Sequence, residues 1–119
     1  MGHYHDVQSE LREPARLLRE QIPDVIGGYA ALQRSVMVDG ALSARFKEVI
    51  ALAIAVTREC DGCIAAHARG AANRGATEPE VAEAMGVAVL MNGGPATVWG
   101  PRALDAFREF APPPGSSAG

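Results

Sequence analysis

The fold is decided by one stretch, Glu48-Val-Ile-Ala-Leu-Ala-Ile-Ala-Val-Thr-Arg-Glu-Cys60-Asp-Gly-Cys63-Ile-Ala-Ala-His67. It spans two helical segments and holds both cysteines of the chain. The residues from 49 to 56 are apolar on every side, which predicts a buried helix. Glu48 stands at the head of that helix, so its carboxylate is predicted to be partly buried and to need a partner.

The second helix of the stretch is predicted to place three reactive side chains on one face. A step of about 100° per residue puts Cys63 about 60° from Cys60, with His67 between them. Cys63 and His67 are four residues apart and are therefore surface neighbours. Cys60 and His67 lie about 10.5 Å apart along the helix axis. Imidazole chemistry is therefore predicted to reach Cys63 first, and the turn between the helices lets Glu48 face His67.

Outside this stretch, the periodicity of apolar residues predicts further helices and no sheet. A first helix is predicted from about Asp6, with its start delayed by Pro14, and a second from Pro23. Ser43 and Thr77 are natural N-caps for the third and fifth helices. The apolar stripe of the second helix consists of Val25, Ile26, Tyr29, Leu32, Val36 and Met37, and Tyr29 is interpreted as a core residue rather than an active-site one. The predicted fold class is all-α, with about six helices.

The 119 residues suit one domain, which we predict to cover residues 1–110. Residues 111–119 are rich in Pro, Gly and Ser and predict a disordered tail. Residues 1–5 are predicted to be loose, so His3 and His5 are interpreted as part of a frayed terminus. Gly75 is predicted to stop the fourth helix, and Pro101 to kink or restart the sixth.

Composition excludes several classes of function. The net charge is −3 and no basic cluster occurs, which argues against nucleic-acid binding. The longest apolar run is too short for a membrane span, and the amino-terminal residues lack the apolar region of a signal peptide. We therefore expect a cytoplasmic protein without a cofactor. In that reducing compartment, a pair of cysteines is expected to be redox-active or metal-binding.

The spacing of Glu48, Cys60, Cys63 and His67 resembles the E-x11-C-x-x-C-x-x-x-H signature of AhpD-like alkylhydroperoxidases, within the carboxymuconolactone decarboxylase family. The resemblance extends over roughly residues 20 to 110. The resemblance implies an AhpD-like helical fold and a homo-oligomer, either a trimer or a hexamer. It further implies a hydroperoxide substrate, with Cys63 as nucleophile, Cys60 as resolving thiol, and Glu48 and His67 as a proton relay. An external dithiol, such as thioredoxin or a lipoyl group, would be the reductant.

Other interpretations of the same residues stay open. Cys60, Cys63, His67 and Glu48 could supply four zinc ligands, although structural zinc sites usually combine two separated pairs, so we expect no metal. The cysteines could also form an inert buried pair, and His67 a core histidine. Glu48 could instead cap a helix or pair with Lys47 or Arg45. Lactone decarboxylase chemistry, which the family name suggests, is disfavoured because that branch usually lacks the cysteine pair.

The chain departs from the AhpD pattern at Gly62. The best-known AhpD proteins carry a second histidine directly before the second cysteine, and Gly62 stands at that position. A relay that uses both histidines has lost one member here. The alternatives are therefore a general disulfide oxidoreductase or a redox-sensing, non-catalytic oligomer. The fifth helix is predicted to be apolar on more than one side, which also favours a contact between subunits.

Overall fold

Six α-helices form the part of the chain that the computed structural model describes, residues 2–113. They are α1 (His3–Gln21), α2 (Pro23–Val36), α3 (Ala44–Thr57), α4 (Asp61–Asn73), α5 (Glu78–Asn92) and α6 (Gly94–Phe110). No strand occurs among these residues, so the prediction of an all-α fold is confirmed. None of the described helices has both the length and the hydropathy that crossing a membrane requires.

The core lies among α3, α4, α5 and α6. α3 packs against the other three, and α6 packs against α4 and α5 as well as α1. Many buried positions hold alanine, and small side chains let helix axes approach closely. The largest fully buried side chains are Tyr4, Leu52, Val56, Ile64 and Val81. Burial of each aliphatic side chain in that set contributes about 1.5–3 kcal/mol.

The predicted helix ends of α3, α4 and α5 are confirmed. The Phe46 N–H donates to Ser43 Oγ over 3.1 Å at the start of α3. Thr77 and Glu80 form a reciprocal capping box at the start of α5. Gly75 adopts a φ of +85° just after α4, a left-handed conformation that ends a helix at little cost only with glycine.

The start of α1 differs from the prediction. His3, Tyr4 and His5 are helical, and Tyr4 is only 2% exposed, so the prediction of a frayed terminus is wrong for these residues. The Glu109 carboxylate accepts the backbone N–H groups of Tyr4 (3.2 Å) and His5 (3.1 Å) and contacts His5 Nδ1 (2.9 Å). Because it satisfies donors that a helix start leaves without partners, the first turn forms. The helix continues through Pro14 rather than starting there.

Burial and hydrogen bonding act in opposite directions on Glu109. Burial raises the pKa of its carboxyl, whereas the hydrogen bonds from His5 and Tyr4 lower it. The hydrogen bonds outweigh burial, so the pKa lies below the ordinary glutamate value. An ionised Glu109 on α6 therefore anchors the first turn of α1.

The interpretation of Tyr29 on α2 as a core residue is wrong. This helix packs only against α1 among the described helices, and none of its residues is buried. Tyr29, interpreted as a core residue, is 65% exposed. An amphipathic pattern indicates that a face avoids water, but it does not specify what covers that face. The end of α2 is fixed by Lys47, whose Nζ donates to the carbonyl oxygens of Val36 (2.9 Å) and Val38 (2.8 Å).

A second apolar surface lies along α3 and α5. These helices border a groove of about 600 Å³, whose lining is Arg45, Phe46, Val49, Ile50, Ala53, Ile54, Glu80, Glu83, Ala84 and Val87. Further along α5, Leu90 is 80% and Met91 78% exposed. Since Val81, Met85 and Ala88 of the same helix are buried, the prediction that α5 is apolar on more than one side is confirmed.

The carboxyl-terminal helix is continuous. α6 includes Pro101 and ends at Phe110, so the predicted restart at Pro101 does not occur. The predicted disordered tail falls mainly on residues 114–119, which lie outside the described residues.

Candidate redox site

The cysteine pair is positioned by a tight connection between α3 and α4. Glu59 adopts a φ of +53°, which is uncommon for a residue with a side chain. The next residue, Cys60, is extended and serves as the N-cap of α4. Its backbone N–H bonds to the carbonyl of Ala55 over 3.3 Å. The chain therefore reverses within a few residues and presents Cys60 at the start of α4.

Cys60 and Cys63 form a disulfide in the first turn of α4, with 5.2 Å between their Cα atoms. The Cys63 N–H also points to Cys60 Sγ over 3.2 Å. A helix N-terminus carries partial positive charge, so it favours a thiolate once the Cys60–Cys63 disulfide is reduced. The pair was predicted to lie close together at a helix start, and the structure places it there.

The structure also joins the other two predicted site residues. Glu48 Oε1 and His67 Nδ1 are 2.8 Å apart, across the contact between α3 and α4. Glu48 is only 6% exposed, and a buried carboxylate requires such a partner. With Nδ1 engaged by the carboxylate, the remaining ring nitrogen, Nε2, is the one left for proton exchange.

Two neighbours of Glu48 were missed from the sequence. Arg74 Nε lies 3.6 Å from Glu48 Oε2, whereas Lys47 caps α2 and Arg45 is near Glu80. A Cβ on Gly70 would overlap the Glu48 carboxylate, so only glycine leaves room for it. A sequence signal for these neighbours was present, because positions 67 and 70 of α4 and its C-cap, position 74, are spaced by three and four residues and share one face.

α1 covers the residues between the two cysteines. The Tyr4 hydroxyl lies 3.3 Å from Asp61 Oδ1, and His3 Nε2 lies 3.2 Å from Asp61 Oδ2. Leu11 Cδ1 would be 3.3 Å from a Cβ on Gly62. Leu11 therefore restricts the space where a histidine at position 62 would begin. Sequence reasoning missed these contacts because they join segments more than 50 positions apart.

Within residues 2–113, no group of three His, Cys, Asp or Glu side chains is arranged to hold a metal ion. Both cysteines are in the disulfide, whereas a cysteine that binds a metal does so as a free thiolate. The groove along α3 and α5 includes none of the four predicted site residues. The chemistry available in this form of the site is therefore that of a disulfide at the start of α4 and, further along the same helix, an imidazole paired with a buried carboxylate.

The sequence profile of the carboxymuconolactone decarboxylase family matches residues 23–108 of this chain. The chain belongs to that family. AhpD-like proteins are members of the same family, so the resemblance stated from the signature residues is confirmed. α1 lies ahead of the matched region.

One solved structure of a family protein and two curated proteins resemble the chain over most of its length. The apo structure of a carboxymuconolactone decarboxylase family protein from Legionella pneumophila superposes with a TM-score of 0.87 at 34% identity, covering 92% of this chain and 97% of that one. An uncharacterized protein of Cupriavidus necator is 31% identical over 105 residues, or 86% of this chain and 93% of its own. The uncharacterized protein 4 in the cox locus of Paracoccus denitrificans is 40% identical over 82 residues, covering 69% and 74%.

Proposed function

We propose that this protein is a thiol-dependent peroxidase that reduces hydroperoxides with the Cys60–Cys63 pair. The observation that carries the proposal is the disulfide at the start of α4, together with the 2.8 Å contact between Glu48 and His67, which lies four residues after Cys63 on the same helix. A disulfide in a cytoplasmic protein is usually catalytic or redox-sensing rather than structural. We place the reaction in the cytoplasm, where dithiol reductants are present.

The proposed cycle begins with the reduced pair. The Cys63 thiolate attacks one peroxide oxygen, the O–O bond breaks, and the alkoxide takes a proton from His67 and leaves as an alcohol. Cys63 is then a sulfenic acid. The Cys60 thiol gives its proton to His67 and attacks Cys63 Sγ. The S–O bond of the sulfenic acid breaks as the disulfide forms, and the departing hydroxide takes that proton from His67 and leaves as water. Glu48 holds His67 and stabilises its protonated form.

The cycle closes when an external dithiol reduces the disulfide. A donor thiolate attacks one sulfur of the pair, and the second donor thiol resolves the mixed disulfide. The donor is oxidised by two electrons, and Cys60 and Cys63 recover their thiols. We expect a small dithiol protein such as thioredoxin, or a protein-bound lipoyl group, to serve as this partner.

The test is a count of free thiols in the reduced protein before and after one equivalent of cumene hydroperoxide. We expect two thiols per chain to disappear and one equivalent of cumyl alcohol to form. Cys63→Ser is the matched control and should form no alcohol. Thiols that persist at a stoichiometric dose would contradict the proposal. If the thiols are consumed, turnover with thioredoxin or with dihydrolipoamide identifies the donor.

A second candidate is a disulfide oxidoreductase that does not act on peroxides, or a redox-sensing oligomer. The observation that favours it is Gly62, because the relay has one histidine and Leu11 restricts the space beside that position. This function predicts that the reduced protein reduces an exposed disulfide, such as that of insulin, but resists hydroperoxide. The thiol count separates this oxidoreductase from the peroxidase.

A further inference from the structure

The two residues between the cysteines are both in contact with α1. The Asp61 carboxylate accepts a hydrogen bond from the Tyr4 hydroxyl over 3.3 Å and contacts His3 Nε2 over 3.2 Å. Gly62 faces Leu11. Tyr4 is 2% exposed, so its side chain is fixed by packing. Tyr4 and His3 therefore hold the Asp61 carboxylate at the cysteine turn, although 37% of the Asp61 side chain stays exposed.

The charge of Asp61 acts on the cysteines in the opposite sense to the helix. The N-terminus of α4 favours negative charge on Cys63 and Cys60 in their reduced state. A carboxylate one position after Cys60 and two before Cys63 disfavours it, because like charges repel. Nothing in the proposed peroxidase cycle uses Asp61, Tyr4 or His3.

We propose that Asp61, positioned by Tyr4 and His3, sets the redox poise of the Cys60–Cys63 pair by disfavouring the thiolate of the reduced form. The proposal rests on the proposed function only in that the pair cycles between disulfide and dithiol. Tyr4 and His3 are positioning residues, because they act through the carboxylate. α1 thereby becomes part of the redox centre although it carries no cysteine.

The redox step is an exchange with dithiothreitol, which serves as the probe. One dithiothreitol thiolate attacks a sulfur of the protein disulfide, the Cys60–Cys63 bond breaks, and a mixed disulfide forms. The second dithiothreitol thiol displaces the protein thiolate and closes the oxidised ring. The reagent loses two electrons and the protein gains them. Two protons are taken up by the protein at low pH and fewer at high pH, where a thiolate persists.

Several other charges act on the same turn, and the experiment must separate Asp61 from them. The charges of Arg102 and Asp105 of α6 also act on the Tyr4 hydroxyl. Glu48 of α3 pairs with His67 of α4. The charged and titratable groups around the turn are His3, Tyr4, Glu48, Arg58, Glu59, Asp61, His67, Arg102 and Asp105. None of these except Asp61 changes in the central comparison.

The experiment compares full-length wild type and Asp61→Asn in dithiothreitol redox buffers from about pH 6 to about pH 9. This range includes the ordinary pKa of a cysteine thiol. Alkylation and mass measurement give the fraction reduced. The quantity compared is the ratio of reduced to oxidised dithiothreitol at which half of the protein is reduced. At the alkaline end we expect this ratio to be about three- to tenfold lower for Asp61→Asn than for wild type. At about pH 6 we expect the two proteins to have the same ratio. Thiolate absorbance at 240 nm should rise at lower pH in the variant.

Asp24→Asn is the matched control, since it removes a charge of the same sign from α2. It should leave unchanged both the pH dependence of the fraction reduced and the pH dependence of the absorbance at 240 nm. A shift of equal size at all pH values would overturn the proposal, because a purely structural effect does not follow thiolate ionisation. Identical curves for Asp61→Asn and wild type would also overturn it. Neither outcome depends on hydroperoxide, so failure of the peroxidase proposal is recognised separately by the thiol count.

The role of Tyr4 is tested with Tyr4→Phe in two backgrounds. Loss of the hydroxyl lets the Asp61 carboxylate turn away from the cysteines into solvent, so the thiolate should form at lower pH than in wild type. The same substitution added to Asp61→Asn should have no effect. Equal shifts in both backgrounds would overturn the positioning role of Tyr4, and circular dichroism checks that each variant is folded.

Discussion

Cys60 and Cys63 occupy unequal positions in the same turn. Cys60 is the extended N-cap residue, whereas Cys63 lies inside α4, four residues before His67. We therefore expect Cys60→Ser to form a sulfenic acid at Cys63 that a dimedone probe traps. Cys63→Ser should trap nothing at Cys60. Mass spectrometry of the labelled peptides reports both, and the reverse labelling pattern would contradict the assignment of Cys63 as nucleophile.

Glu48 is expected to act on the cysteines through His67. A carboxylate beside the imidazole favours its protonated form, and that cation favours a thiolate at Cys63. Glu48→Gln should therefore raise the pH midpoint of thiolate formation by about half a unit to one unit. Absorbance at 240 nm measures it, with the exposed Glu83→Gln as control. The same midpoint in wild type and Glu48→Gln would count against a relay.

Gly70 is expected to be necessary for the buried pair. Gly70→Ala would place a Cβ against the Glu48 carboxylate, so the carboxylate must move and the contact with His67 must weaken. We expect a loss of about 1–3 kcal/mol in the free energy of unfolding. Gly86→Ala is the control, because its Cβ meets open space within α5 and should stabilise by up to about 1 kcal/mol. Urea denaturation of both variants checks the contrast.

The proximity of Cys60 to Cys63 and of Glu48 to His67 was predictable because a single short motif contains all four residues. Cys60, Cys63 and His67 are separated by one and two helical turns, and helix geometry alone sets their relative directions. Asp61 lies between the cysteines, but its partners in α1 come from a distant part of the chain. No local spacing encodes such a contact.

At the scale of the helices, α1 contacts α4 through the Tyr4 hydroxyl, which lies 3.3 Å from Asp61 Oδ1. Burial, together with the charge and hydrogen bond of Asp61, raises the pKa of Tyr4 from 10.0 to about 12. In the unfolded chain Tyr4 ionises near its ordinary value, so its contribution to stability is complete below pH 10 and is lost as the pH rises towards 12. Tyr4→Phe should make stability less dependent on pH across this interval. Urea midpoints at intervals from about pH 9 to about pH 11 measure the slope, and parallel slopes would contradict the expectation.

The helices themselves followed from local signals, while their packing did not. Ser43, Thr77 and Gly75 mark helix ends through contacts within a few residues, and such signals are readable in sequence. The helical start at His3 depends on Glu109, more than 100 positions away. The exposure of α2 likewise depends on which helices lie beside it, which an apolar stripe cannot specify.

Large apolar side chains are exposed on several helices of the molecule. The exposed faces of α2 and α5 and the groove along α3 and α5 all belong to one chain. Patches of this kind mark contacts with other proteins or a risk of aggregation. We propose that copies of the chain cover them in a closed homo-oligomer, a trimer or hexamer, since symmetric closed assemblies are the rule.

Light scattering at micromolar concentration should give the mass of three or six chains, and Met91→Glu should lower it or cause aggregation. Leu18→Glu on α1, which is 52% exposed, is the control for adding a charge at an exposed apolar position. A monomer mass together with a normally folded Met91→Glu would contradict assembly. A dimer would leave the burial argument intact but contradict the predicted trimer or hexamer.

The position of α1 has a consequence for how members of this family diverge. The family profile begins at residue 23, yet His3, Tyr4 and Leu11 touch the two residues that separate the cysteines. A lineage could therefore keep an identical cysteine motif and still acquire new reactivity by replacing α1. Two relatives with the same motif need not be functional equivalents, and orthology should be judged on the leading segment as well.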